Sequence, residues 1–206
     1  MQEIGFIFQI AIIIVSIVFH ELSHGYAAYF LGDPTAKYAG RLTLNPIKHL
    51  EVFGSVIVPL LTFALGGIVF GWAKPVPYNP YNLRAKKYGE VIVALAGPVS
   101  NLLIATVFAL YIRTLGGDIG SSPTGQLAVL IVLVNLTLAV FNLIPVPPLD
   151  GSKILWGLLP YRWHPVKAFI ERNMIAFIIV VILTISFILD PIVSALFSLL
   201  TGISFI

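Results

Sequence analysis

The pentapeptide His20-Glu21-Leu22-Ser23-His24 has the composition and spacing of a zinc site. On a helix, residues four apart lie on one face, about 6 Å apart along the axis, so both imidazoles can reach one metal ion. Glu21 lies beside the first histidine without being a ligand, which is where zinc-dependent hydrolases place a general base. The motif therefore predicts a metal held by His20 and His24 and a water activated by Glu21.

Two histidines leave a tetrahedral zinc in need of a third protein ligand. The chain has no cysteine, so this ligand must be histidine, aspartate or glutamate. Asp150 stands apart from the other candidates because it follows a proline-rich run at 140–149, and those prolines can break a helix and turn the carboxylate inward. The other candidates lie in charged or turn-rich loops: Asp33, His49, Glu51 and Glu90.

The setting of this motif is apolar. Of the 206 residues, 58% are hydrophobic and only 10% are charged, whereas about a quarter of the residues of a soluble domain are charged. The motif lies within an apolar run at 5–31, where a carboxylate at a helix centre costs roughly 2.5–3.5 kcal/mol. An ionisable cluster in this place indicates a functional site in an integral membrane protein. The basic residues are dispersed through loops, which argues against a nucleic-acid partner.

Four segments are long and apolar enough to cross a bilayer, and two more are ambiguous. The four are 5–31, 91–112, 126–149 and 171–190, and the ambiguous ones are 52–70 and 192–206. Lysine and arginine are typical of cytoplasmic loops, and they concentrate in the loops 32–51, 71–90 and 150–173. The loop 114–125 has none and is expected to be external.

This charge pattern conflicts with a full crossing by 52–70, because the basic loops on either side of it would then face opposite compartments. A re-entrant element resolves the conflict, and the prolines of 72–84 favour extended or turn structure after it. We therefore predict an all-α polytopic membrane protein with four to six transmembrane helices and a re-entrant or partly extended insert between the first two well-defined ones. It would form a single domain, 1–206, with the insert at 32–90 and a C-terminal helical region at 171–206.

Three motifs in order resemble those of the site-2 protease family of intramembrane zinc metalloproteases, in a compact form without a PDZ or nucleotide-sensing domain. They cover about 150 residues of the chain and comprise Phe19-His20-Glu21-Leu22-Ser23-His24-Gly25, Ala96-Gly97-Pro98-Val99-Ser100-Asn101, and the run from Asn142 to Gly151 that contains Asp150. The resemblance implies one zinc ion per chain bound by His20, His24 and Asp150, with Glu21 activating water to cut a peptide bond within or beside a substrate's transmembrane helix.

The amide of Asn101 could donate to a substrate carbonyl or anchor an extended substrate, a role that the resemblance favours, and Asn142 could position the substrate or the backbone; hydrogen bonding between helices is the alternative for both. Expected partners are membrane proteins with transmembrane segments and the lipid bilayer, with no indication of oligomeric state.

The motif lies about 24 Å along the helix from Gly5, which places the site toward the cytoplasmic side, in the cell membrane. A substrate unwound from its helix could pair with an extended segment at Thr43 or at Val76 to Tyr78. Two alternatives remain: a metal transporter, and a catalytically silent relative that binds membrane segments.

Overall fold

The computed structural model describes residues 2–51, 54, 57, 61, 73–85, 87–115 and 122–204. This part of the chain is helical and contains no β-strand, as the predicted all-α class requires. Its α-helices, in chain order, are α1 (Gln2–Phe30), α2 (Thr35–Tyr38), α3 (Lys87–Leu115), α4 (Pro123–Asn142), α5 (Asp150–Leu158), α6 (His164–Arg172) and α7 (Met174–Thr201). Short 3-10 turns occur at Pro46–His49, Pro80–Asn82 and Tyr161–Trp163.

Within the described residues, three helical stretches are long and apolar enough to cross a membrane. They are Phe8–Phe30, Tyr88–Leu115 and Pro123–Asn142. A fourth span is obtained if Tyr161–Arg172 and Met174–Ile185, which meet at a bend of 77°, are counted as one broken crossing. The polytopic architecture is thus confirmed, while most of the ambiguous segment 52–70 lies outside the described residues.

Helix α3 is the centre of the bundle and packs against α1, α4, α5 and α7. Its small side chains allow close approach, as is usual between membrane helices. Ala105, Ala109 and Ile112 of α3 are fully buried against Val132 and Leu136 of α4. Val193 and Phe197 of α7 close the same cluster. This packing fixes α3 and α4 relative to each other.

Two helix ends differ from the expected ones. Helix α4 ends at Asn142 rather than at 149, because a residue before proline disfavours the helical conformation and Ile144 precedes Pro145. Helix α7 does not end at Asp190 but runs through Pro191 to Thr201. Residues 192–201 therefore continue this helix, and the helix closes at Gly202 with the positive φ of 80° that favours glycine.

Residues 73–84, here called the strap, lie across the C-terminal half of α1 without regular hydrogen bonding along most of their length. The N–H of Lys74 donates to the carbonyl of His49 (2.9 Å), and the N–H of Arg84 donates to the carbonyl of Leu31 (2.8 Å). Thr43 lies in a bend, and Val76 to Tyr78 belong to the strap, so neither of these expected strands is formed. The strap is held at both ends by backbone hydrogen bonds to the chain around α1.

Candidate metal centre

The two histidines of α1 face each other across one helical turn. Their rings are perpendicular, with centroids 4.7 Å apart, and their Nε2 atoms are 3.1 Å apart. His20 is 5% exposed and His24 is 8% exposed. The four-residue spacing thus brings both Nε2 atoms to one buried point, as the sequence predicts.

Asp150 reaches the same point from the first turn of α5. Its Oδ2 lies 3.1 Å from Nε2 of His20 and 3.0 Å from Nε2 of His24. The turn after α4 makes this possible, because Gly151 lies directly against the carbonyl of Leu143 and a side chain at 151 would collide with it. The ligand atoms of the three residues all lie within 4.8 Å of one another.

The hydrogen bonds of the two rings show that this cluster fits a cation. Nδ1 of His20 is 2.6 Å from Oδ1 of Asn101, and Nδ1 of His24 is 2.7 Å from the carbonyl oxygen of Val93. Both partners are acceptors, so each neutral ring carries its proton on Nδ1 and turns the lone pair of Nε2 inward. Two lone pairs and a carboxylate that converge on one buried point repel one another unless a cation lies between them. The donor set, two nitrogens and one carboxylate oxygen, is one that Zn²⁺ accepts.

Asn101 is held behind His20 by the side chain of Asn135 and the backbone carbonyl of Ser16. Its amide nitrogen donates to Oδ1 of Asn135 (2.8 Å) and to the carbonyl of Ser16 (3.4 Å). Asn135 in turn donates to Oγ of Ser16 (3.0 Å). Asn101 and Asn135 are fully buried. The expected substrate contact of Asn101 stays a prediction; in the structure its side chain orients an imidazole.

Glu21 contacts the strap. Its Oε2 accepts a hydrogen bond of 2.8 Å from the backbone N–H of Val76. The strap can come this close because residue 25 is glycine: a Cβ added there would lie 2.9 Å from Cγ1 of Val76. The carboxylate adjacent to the metal cluster is therefore oriented by a residue 55 positions away in the chain.

Gly97 of α3 forms the floor of the cluster. A Cβ added at this position would lie 2.5 Å from Nε2 of His24 and 2.6 Å from Nε2 of His20. Real Cβ atoms do not approach other atoms this closely, so a larger residue would have to displace the imidazoles. The close approach of α3 to α1 at Gly97 thus occurs directly against the Nε2 atoms of the two histidines.

A lysine lies beside the outer oxygen of Asp150. Nζ of Lys153 is 3.2 Å from Oδ1 of Asp150 and 5.7 Å from the ring centroid of Tyr78. Burial alone would lower the pKa of Lys153, but the neighbouring carboxylate raises it above its ordinary value, so the side chain stays charged. Lys153 also borders a cavity of about 650 Å³ that extends between α5 and α6. Its charge balances the carboxylate oxygen that faces away from the histidines.

The remaining candidates lie elsewhere. Asn142, the last residue of α4, donates its side-chain amide to the carbonyl of Leu138 within its own helix (2.9 Å), and its substrate role also stays a prediction. Nε2 of His49 bonds the carbonyl of Thr43 (2.8 Å), and Asp33 accepts several hydrogen bonds near the strap. Of the candidate third ligands, the structure brings Asp150 to the histidines.

The contact between Val76 and Glu21 could not be predicted from the sequence, because every residue except proline has a backbone N–H.

Comparison with known proteins gives consistent matches. Residues 8–125 and 117–185 match the model of Peptidase family M50. The chain is 43% identical over 154 residues to "Putative zinc metalloprotease YwhC" of Bacillus subtilis, covering 72% of this chain and 67% of that protein. It is 34% identical over 184 residues to "Putative zinc metalloprotease Rip2" of Mycolicibacterium smegmatis, covering 88% and 68%. It is 27% identical over 157 residues to "Zinc metalloprotease MJ0392" of Methanocaldococcus jannaschii, covering 76% and 36%. No solved structure matches the chain significantly.

Proposed function

The chain belongs to peptidase family M50, and from this premise we propose that it cuts peptide bonds within or next to the transmembrane segments of membrane proteins. Membership makes it a zinc metalloendopeptidase. The proposal adds the class of substrate and the residues that act: His20, His24 and Asp150 as zinc ligands, and Glu21 as general base. It treats 1–206 as one membrane-embedded domain.

The observation that carries the proposal is the buried cluster on an apolar helix. His20 and His24 lie on the candidate span Phe8–Phe30, and Asp150 completes the set from α5. Ionisable groups at such positions are expensive unless they have a function. A site built into a membrane helix is closest to peptide bonds that are themselves in the membrane, which supports transmembrane segments as substrates.

A bound zinc ion would supply Lewis-acid polarisation of the scissile carbonyl and lower the pKa of water toward about 7. With zinc bound by two neutral histidines and one aspartate, the site would have a net positive charge, which stabilises the negative charge that develops on the substrate oxygen. Glu21 has one oxygen engaged by the N–H of Val76, so its other oxygen is available to accept a proton from the attacking water. That carboxyl group can then return the proton to the leaving amine.

The substrate must present an extended peptide, because a helix hides its carbonyls in internal hydrogen bonds. The strap remains the candidate partner for such a segment, although its sequence limits the pairing. Pro75 and Pro77 have no N–H, and the N–H of Val76 is donated to Glu21. Of the residues 75–78, only Tyr78 retains an N–H for a substrate strand, so pairing there would rely mainly on the backbone carbonyls of the strap as acceptors.

The site is proposed to face the cytoplasm in a multi-pass protein of the cell membrane. Wild-type protein reconstituted with a membrane substrate should cleave it. Glu21→Gln should bind as much zinc as the wild type but lose activity by at least about a thousandfold, because the amide cannot accept the proton of the attacking water. The measurements are product formation and zinc per chain. Cleavage by Glu21→Gln at the wild-type rate would exclude the mechanism.

The transporter alternative predicts a series of ligand groups along an ion path. Among the residues that the structure describes, His20, His24 and Asp150 form the one group of three potential metal ligands. A single buried group matches a catalytic centre better than a path. The silent-relative alternative predicts a zinc-loaded wild type with no cleavage, which the same assay detects.

A further inference from the structure

Glu21 needs more than its position on α1 to act as a base, because a glutamate side chain has three rotatable bonds. The structure shows one described contact that fixes its carboxylate, the 2.8 Å hydrogen bond from the N–H of Val76. Val76 is 5% exposed, and its hydrogen bond to Glu21 is partly buried. The orientation of Glu21 therefore depends on where the strap lies.

The strap is itself fixed by one buried carboxylate. Oδ2 of Asp33 accepts the N–H of Asn79 (2.6 Å), and Oδ1 accepts the side-chain amide of Asn82 (2.8 Å). Oδ1 also accepts the N–H and hydroxyl of Thr35, at 3.2 and 2.6 Å. Asp33 is fully buried, yet it contacts none of the metal-binding residues. A buried charge with this many donors is costly to keep unless its bonds are all made.

We propose that Asp33 is a positioning residue for catalysis: it clamps the strap to the end of α1 so that the N–H of Val76 holds the carboxylate of Glu21 in the orientation needed to accept a proton. Asn79 lies three residues after Val76, so the clamp and the bond to Glu21 share one short stretch of chain. The other side of Val76 is fixed at Lys74, whose carbonyl accepts Nη2 of Arg41 at 2.6 Å. This inference rests on the proposed role of Glu21 as general base.

Two variants interrupt the connection at different points. Asp33→Asn replaces one acceptor oxygen by an amide nitrogen, which cannot accept the N–H of Asn79 or the hydrogen bonds around it in the same way. Val76→Pro removes the N–H that Glu21 accepts. Val76→Ala keeps that N–H and loses only side-chain packing, so its loss of activity should be smaller than that of Val76→Pro. Asp190→Asn makes the same chemical change as Asp33→Asn at an exposed position of α7 and should leave kcat unchanged.

The test measures kcat, KM and zinc per chain for the full-length protein reconstituted in lipid with a membrane substrate. We expect Asp33→Asn and Val76→Pro each to lower kcat about tenfold to a hundredfold, the effect of losing a hydrogen bond to a charged group. KM and zinc content should remain those of the wild type. Because both changes act through one contact, the double variant should lose no more than Val76→Pro alone.

Four results would overturn the inference. Unchanged kcat in both variants would show that Glu21 does not depend on the strap. A raised KM with unchanged kcat would show that the strap docks the substrate instead. Zinc loss from both variants, or losses that multiply in the double variant, would assign Asp33 a structural role only. Failure of the proposed function is recognised separately, by an active Glu21→Gln or an inactive wild type.

Discussion

Gly97 sets how closely α3 can approach the two histidines of α1. A Cβ at this position would lie 2.5 Å from Nε2 of His24, the atom that points into the cluster. The outer nitrogens of both rings are already bound to Asn101 and to the Val93 carbonyl. The rings cannot move away without breaking those bonds, so the glycine and the two acceptors together fix the ligand geometry.

Gly97→Ala is therefore expected to weaken zinc binding. Overpacking of this kind costs about 1–3 kcal/mol, which corresponds to roughly a tenfold to hundredfold loss of affinity. Competition with a chelator of known affinity measures the change. Val99→Ala, on an exposed part of the same helix, is the control and should bind zinc like the wild type. Equal zinc affinity of Gly97→Ala and Val99→Ala would contradict the close approach.

The grouping of His20, His24 and Asp150 could be predicted from the sequence, whereas the contacts behind it could not. His20 and His24 follow from local helical spacing, and Asp150 was distinguished by the prolines before it. The structure places Asn101 between His20 and Asn135, a position that depends on the packing of three helices, while its substrate contact stays a prediction. The bond from Val76 to Glu21 depends on where the strap lies, and hydropathy and residue type do not encode that position.

At the scale of elements, apolar length located the helices better than it located their ends. The span expected to reach 149 stops at Asn142, where successive prolines prevent further helix. Pro191, in contrast, does not end its helix: α7 continues past it to Thr201. The burial of Val193 and Phe197 in the core cluster offsets the lost helical hydrogen bond there. The prolines after Asn142 thus account for the end of α4, whereas packing against neighbouring helices, which a single segment does not reveal, accounts for the continuation of α7.

The attachment of the strap to α1 should depend on pH through Asp33. Burial alone would raise the pKa of this carboxyl, but the hydrogen bonds from Thr35, Asn82 and Asn79 outweigh it and hold the pKa below the ordinary value of 3.8. A lowered folded-state pKa means that the carboxylate stabilises the fold above pH 3.8, and that this contribution is lost as the pH falls through the folded-state value.

We therefore expect wild type to be more stable than Asp33→Asn at pH 6, by about 1.5–3 kcal/mol for bonds to a charged group. The difference should shrink as the pH falls below 3.8. Unfolding in detergent followed by circular dichroism measures it, and Asp190→Asn should track the wild type. A stability difference that is the same at every pH would show that the ionised form of Asp33 is not what the strap requires.

At the scale of the whole molecule, His49 and Lys74, which lie on either side of the segment 52–70, contact each other. The N–H of Lys74 donates to the carbonyl of His49 at 2.9 Å, so the chain leaves and returns at one place. A single crossing would instead separate these two residues by about 30 Å of hydrocarbon. This hydrogen bond supports a re-entrant insert, which stays a prediction because most of 52–70 lies outside the described residues.

Labelling in membranes tests this topology directly, because the chain has no cysteine of its own. Lys48→Cys and Lys74→Cys should react with a membrane-impermeant thiol reagent from the same side, the cytoplasmic one. A cysteine introduced at Pro123, after the loop expected to be external, is the control and should react from the opposite side, because α3 separates it from the strap. Opposite-side labelling of positions 48 and 74 would contradict both the hydrogen bond between the ends and the re-entrant insert. Same-side labelling would place the strap, and with it Glu21, at the face from which water and the unwound substrate enter.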